Sequence, residues 1–256
     1  MTFLQRSFIH THGIGASSER RLWAQGADSW ATYLADPASF KVQKSRLELL
    51  QETVGRSPDA LLRGDFRFFG SRLPRREHWR AWTAFPGRVA YLDIETDGGT
   101  DFDNVTVVGW YDGLRMRHFV RGENLLDFPD AVEEAETAVV VTYFGNGFDL
   151  PVLRNAFPRL RFDQLHIDLC PTLRRLGFMG GLKSVEYQLG IDRSPATAGL
   201  NGWDAVRLWR EWLWGSREAL ELVLAYNRED VMNLVPLAGI AYNALAELQA
   251  AAAFER

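Results

Sequence analysis

The chain has 256 residues, 46% of them hydrophobic and 24% charged, with a net charge of −4, ordinary values for a globular protein of one large domain or one domain with an appendage. No run of about 18 apolar residues marks a membrane span, and the start MTFLQRSFIHTHG lacks the apolar core and cleavage site of a secretory signal. The single cysteine, Cys170, excludes an intramolecular disulfide and a cysteine-rich zinc cluster, and a reducing cytoplasm is the expected setting.

Residues 1–83 read as a helical N-terminal extension with frequent breakers. Gly13-Ile14-Gly15 precedes a short helix with Ser17 or Ser18 as its cap, ended by Gly26. Leu47, Leu50 and Val54 fall at helical spacing in residues 43–54; Gly55 ends that segment, and Ser57-Pro58-Asp59 starts another. Residues 74–83 predict a helix opened by Pro74, with Trp79 and Trp82 on one side among Arg75, Arg76 and Arg80. Residues 1–88 carry 14 Lys/Arg against 8 Asp/Glu, a net of +6, which leaves the remainder at −10. A basic arm of this kind attracts phosphates, so nucleic-acid contact is expected of it.

The texture changes at Pro86-Gly87, where residues 84–256 begin a second unit. Val89–Leu92, Asn104–Trp110 and Arg115–Arg121 read as strands, the last two joined by a hairpin at Asp112-Gly113. Residues 123–135 fit a helix. Ala138–Tyr143 is a near-continuous apolar strand of the kind buried on both faces. A helix follows Asp149, and Ile167–Leu169 is a short strand. Residues 171–176, 182–189 and 216–234 are helical. This order predicts an α/β fold, a mixed sheet flanked by helices, in which an antiparallel hairpin joins parallel strands.

Three acidic motifs lie on this frame. Side chains alternate across a strand, so Asp93 and Glu95 point to one face at the C-terminal end of the first strand. Asp149 follows the Gly145-Asn146-Gly147 loop, where it can cap the helix that contains Pro151. Tyr226 and Asp230 are four apart and share a helix face. Singly, each motif has a plain structural reading: a solvated strand end, a helix cap, a hydrogen-bonded pair. Together, four carboxylates and a phenol can surround two divalent cations, Mg²⁺ or Mn²⁺, because hard cations take oxygen ligands. Two such ions about 4 Å apart can promote phosphodiester hydrolysis. A tyrosine with an ordinary pKa of about 10 orients a water rather than deprotonating it. Among the other candidates, the five histidines lack metal-ligand spacing, and Asp168 reads as a structural strand-end contact.

Tyr91-Leu-Asp93-Ile-Glu95-Thr96, Phe148-Asp149 and Tyr226-xxx-Asp230 resemble the three motifs of the DEDDy 3′–5′ exonucleases, which have the ribonuclease H-like fold. Gly181-Leu-Lys183-Ser184-Val, Gly202 to Trp209 and Ala219 to Val231 are similar to YprB-like ribonuclease H-like proteins. The resemblance covers about residues 86–240. It implies that Asp93, Glu95, Asp149 and Asp230 bind metal, that Tyr226 positions the attacking water, and that Thr96, Phe148, Lys183 and Ser184 approach substrate. Relatives usually place an Asn five residues before the second-motif Asp. That position is Phe144 here, and Asn146 is the residue available to compensate. The start His12-Gly13-Ile14-Gly15 looks like half of a helix-hairpin-helix, in which Gly13 and Gly15 would offer amides to a phosphate. The expected activity is a metal-dependent 3′–5′ exonuclease acting on single-stranded or 3′-terminal DNA or RNA. A structure-selective endonuclease and a non-catalytic nucleic-acid-binding module are the alternatives.

Overall fold

The N-terminal 80 residues form helices that end in the same hydrophobic core as the sheet. The computed structural model describes residues 1–254, and the helices here are α1 (Ala16–Ala24), α2 (Trp30–Ala35), α3 (Lys44–Leu62) and α4 (Phe66–Gly70). Helix α1 starts before either serine could cap it: Gly15 occupies the cap position, and Ser17 and Ser18 lie inside the helix. Helix α3 runs through Gly55 and Pro58, where the sequence suggests two helices. Its buried face, Leu50, Val54, Ser57 and Ala60, holds it continuous. Ser57 Oγ donates to the Thr53 carbonyl at 2.8 Å, within the turn that the imino nitrogen of Pro58 interrupts. Residues Arg75–Ala81 form a 3₁₀ run rather than an α-helix. Arg75 and Arg76 are exposed, but Arg80, fully buried, pairs with buried Glu19 at 2.9 Å and Glu77 at 2.8 Å. Glu19 also accepts from the backbone of Phe8 and Ile9. Trp79 is buried between Phe3 and Tyr242, so it fills core and is not free to stack on a base.

Five strands make one mixed sheet in the order β3-β2-β1-β4-β5, with β1 (Val89–Thr96), β2 (Val105–Tyr111), β3 (Met116–Val120), β4 (Val139–Thr142) and β5 (Leu165–Asp168). Strands β1, β2 and β3 pair antiparallel, while β4 runs parallel to both β1 and β5. The hairpin turns at Asp112-Gly113, where Asp112 Oδ1 accepts from the backbone of Leu114 and Arg115 and Gly113 takes φ +90°. Strand β1 continues four residues beyond Leu92, so Asp93 and Glu95 lie within the ladder and not past its end.

Alternation along β1 assigns its two faces. Ala90, Leu92 and Ile94 pack with Val140 against Phe128 and Val132 of α5 (Phe128–Glu134) and Leu150 and Leu153 of α6 (Asp149–Ala156). Tyr91 joins Val139 and Val141 on the other face. There they meet Leu173 of α7 (Leu169–Arg174), Val185 of α8 (Leu182–Gln188) and Val231 and Leu234 of α10 (Arg217–Phe254). Helix α9 (Gly202–Leu213), absent from the sequence reading as a helix, sets Leu208 and Trp209 against Val107, Val120 and Val223. Helix α10 extends twenty residues past the expected limit at 234. By length and composition its 217–251 stretch could cross a membrane; here Val231, Leu234, Leu237, Ala241 and Leu245 are buried in the core.

Candidate metal centre and cleft

The odd-numbered face of β1 brings Asp93 and Glu95 under α10, and α10 brings Asp230 down to them. One carboxylate oxygen from each of the three lies within 4.8 Å of the others. A glycine permits this approach. Asp93 pairs across the ladder with Gly109 of β2, and a Cβ at Gly109 would collide with the Asn227 side-chain oxygen and stand 2.8 Å from Val231 Cγ2. Asn227, fully buried, spends its amide on Asp93: Nδ2 donates to Oδ2 at 2.9 Å and to the Asp93 carbonyl at 3.3 Å.

Asp149 is the first residue of α6, and Phe148 holds the cap position. The Asp149 carboxylate borders the same cleft as the trio but lies outside the 4.8 Å set. The loop that delivers it is held by Asp168 at the end of β5. Asp168 Oδ1 accepts from Phe144 N at 2.8 Å and Cys170 N at 3.1 Å, and Oδ2 accepts from Asn146 N at 3.0 Å. Asp168 thus has the structural role the sequence suggests.

Crowded, buried carboxylates hold protons. Burial, then the charges of Asp230, Asp149 and Glu95, push Asp93 well above the usual carboxylate range. Burial and Asp230 do the same to Glu95. Burial raises Asp149 to about 7, against the pull of its own backbone amide. Asp230 is raised by burial to about 6, with Arg193 opposing. The donor set is all oxygen, and its excess negative charge is what a hard divalent cation neutralises. The residues therefore fit a cation.

Cationic side chains brace the outer side. Arg193, in the loop after α8, reaches Asp230 at 2.5 Å and binds Glu186 through two bonds of 2.5 and 2.7 Å. Lys183 Nζ sits 4.5 Å from the centre of the Tyr226 ring; burial and Arg193 lower its proton affinity. The Tyr226 phenol is pushed up by burial and by the Asp230, Glu95 and Asp93 charges, so it stays protonated and acts as a donor.

An open cleft of about 800 Å³ gives onto these groups. Asp93, Glu95, Asp149, Tyr226 and Asp230 line it together with Thr96, Phe148, Phe144 and Trp203. The other expected substrate residues lie elsewhere. Asn146 lines a separate small cavity with His78, Arg154 and His166. Ser184 is exposed inside the first turn of α8 and donates to the Met179 carbonyl in the preceding loop. Gly13 takes φ +81°, its carbonyl bound by Arg46, and Gly15 caps α1; neither borders the cleft. Sequence reasoning missed Asn227 and Arg193. A glycine inside the apolar β2 run signals a close neighbour, and Asn227 is a polar residue beside Tyr226 on an otherwise apolar helix stripe. Arg193 lies in a loop with no periodicity to mark it.

Residues 90–242 match the model of the RNase_H superfamily. That is more than half of the chain, which therefore belongs to this superfamily. Among solved structures, the family B DNA polymerase from the hyperthermophilic archaeon Pyrobaculum calidifontis has a similar fold, with a TM-score of 0.52 at 19% identity over 63% of this chain. The match spans 25% of the polymerase chain, and at this identity the likeness is one of fold. A comparison with curated proteins finds no match. Superfamily membership and the acidic cluster together support a nuclease that works on nucleic acid with divalent cations.

Proposed function

We propose that the chain is a two-metal 3′–5′ exonuclease of the DEDDy type, on the YprB-like branch of the superfamily. The observation that carries this reading is the convergence of Asp93, Glu95 and Asp230 within 4.8 Å, with Asp149 and Tyr226 on the same cleft. Asp93, Glu95 and Asp230 would hold one cation, and Asp149 with Asp93 the second. Such ions, Mg²⁺ or Mn²⁺, supply charge that activates a water and stabilises the leaving oxygen of a phosphodiester.

The chain's own groups do the remaining work. Asn227 fixes the Asp93 carboxylate, and Arg193 fixes Asp230. The protonated Tyr226 phenol can orient the attacking water but cannot accept its proton. Lys183, whose Nζ is buried over the Tyr226 ring, adds positive charge behind the acidic cluster. Thr96 and Phe148 line the path to it. The substrate is a single-stranded or 3′-terminal stretch of DNA or RNA.

The test is a 5′-labelled single strand incubated with Mn²⁺. Stepwise shortening from the 3′ end is expected, and Asp93→Ala should abolish it while retaining strand binding. A discrete internal cut would instead indicate an endonuclease on this fold, and no cleavage by the parent would indicate a binding module.

A further inference from the structure

We infer that Phe144 and Trp203 form a base-stacking platform in this cleft that admits only strand ends with unpaired bases. The inference rests on the cleft being a nucleic-acid site and adds a specificity device to it. Both rings line the cleft that holds the acidic groups, and both face solvent, Phe144 at 55% and Trp203 at 79% of full exposure. Burying a ring of this size stabilises a fold. Here the fold leaves two such rings exposed on one cleft.

The exposure of Phe144 is built. Its φ is +63°, the left-handed region that a bulky residue avoids. The buried Asp168 carboxylate holds it there by accepting its N–H at 2.8 Å. Gly147 leaves room for the ring: a Cβ at Gly147 would lie 2.5 Å from Phe144 Cζ. A strained backbone, a buried acceptor and a glycine thus cooperate to hold an apolar ring out in the cleft. Held strain of this kind points to function.

Trp203 is fixed by the opposite kind of device, a helix start. Asn201 Oδ1 accepts the Trp203 N–H at 2.9 Å, and Asp204 Oδ2 accepts the Asn201 N–H at 3.0 Å. This reciprocal cap anchors the first turn of α9, while Ala205, Val206, Leu208 and Trp209 take its buried face. Trp203 is left outside that face, on the cleft. Two rigidly based aromatic faces beside a phosphodiester-sized acidic site match a nucleic-acid strand with splayed bases, because stacking accepts any base. Within a duplex every base beyond the end pair is already stacked on both faces, so a double strand cannot lay successive bases on the rings.

The experiment measures affinity, apart from cleavage. Fluorescein-labelled dT12 and rU12, a 12-base-pair blunt duplex, and dT12 with two abasic 3′-terminal positions are titrated against the full chain in Ca²⁺. Trp203→Ala and Phe144→Ala should each weaken dT12 and rU12 binding by about 5- to 150-fold, from about 1–3 kcal/mol per stacked base. Trp203→Phe should recover most of the loss. The abasic strand and the duplex should bind the parent as weakly as dT12 binds the double variant, with no further loss when the rings are removed. Undiminished dT12 binding by both alanine variants overturns the platform, as does parent binding of abasic ends or duplex equal to that of dT12. Parent binding of neither dT12 nor rU12 also overturns it. The nuclease reading fails separately: a parent that shows the stacking pattern but never cleaves in Mn²⁺ keeps the platform and loses the enzyme.

Discussion

Arg193 is the residue on which the site's electrostatics turn. It is nearly buried, and it answers Glu186, which is 1% exposed, as well as Asp230. Removing one partner of a buried ion pair leaves an uncompensated charge and costs about 3–5 kcal/mol. Arg193→Met is therefore expected to lower stability by about that amount in urea denaturation. Arg193→Lys should recover only part, because an ammonium cannot make the two-toothed contact with Glu186. Loss of less than about 1 kcal/mol in the methionine variant, within the range of an exposed pair, would show that the network is not structural. Asn227 is neutral, and its change should be read on the metal side. Asn227→Ala frees the Asp93 carboxylate from the amide that donates to it, so Mn²⁺ affinity by calorimetry should fall by about tenfold, the lower end for loss of an outer-shell partner.

At the scale of elements, the site depends on how closely α10 lies on β2. Gly109→Ala places a methyl group against Asn227 and Val231. Overpacking of this kind costs about 1–3 kcal/mol, so thermal unfolding should shift down and Mn²⁺ affinity should fall with it. Gly109→Ala combined with Asn227→Ala should regain part of the lost stability, since the colliding side chain is gone; strictly additive losses would place the clash elsewhere. The same contact explains what the sequence revealed. Strands were legible because β1, β2 and β4 carry long apolar or alternating runs, and the sheet's element order followed from them. Asp93, Glu95, Asp149 and Tyr226 with Asp230 stood out because they form recognisable motifs on one face of β1, at the start of α6 and on one face of α10. Helix α9 was missed as an element although Ala205, Leu208, Trp209 and Trp212 fall at helical spacing behind the Asn201–Asp204 capping box; the signal was in the sequence and was not read. Helix α3 read as two pieces because Gly55 and Pro58 are local breakers, whereas its buried face is set by tertiary packing. Arg193 could not be read at all, since a loop residue acquires its partners only when the loop closes.

For the whole molecule, two sets of buried groups push stability in opposite directions with pH. Burial lowers His10 to about 3, His78 to about 4, His118 to about 4 and His166 to about 3. An unfolded histidine titrates near ~6.5, so the unfolded chain takes up protons first and stability is lost as pH falls below that value. The clustered carboxylates act the other way. Asp230 at about 6, Asp149 at about 7, and Asp93 and Glu95 well above their ordinary values bind protons more tightly in the folded chain than in the unfolded one. Their contribution is present below about pH 4, the unfolded carboxylate value, and is lost as pH rises through the folded values. Above about pH 7.5 the histidines are neutral in both states and exert almost no slope, which leaves the carboxylates alone. In EDTA the melting temperature should therefore peak near pH 6 and decline towards pH 8.5. Cations replace the departing protons, so Mn²⁺ should raise the melting temperature strongly at pH 8.5 and little at pH 5.5, where protons compete for the same oxygens. Asp93→Asn removes one charge from the crowd and should flatten the alkaline decline in EDTA. A melting temperature that climbs steadily from pH 6.5 to 8.5 without metal would mean that these carboxylates do not share one pocket, and the cation site would fall with it.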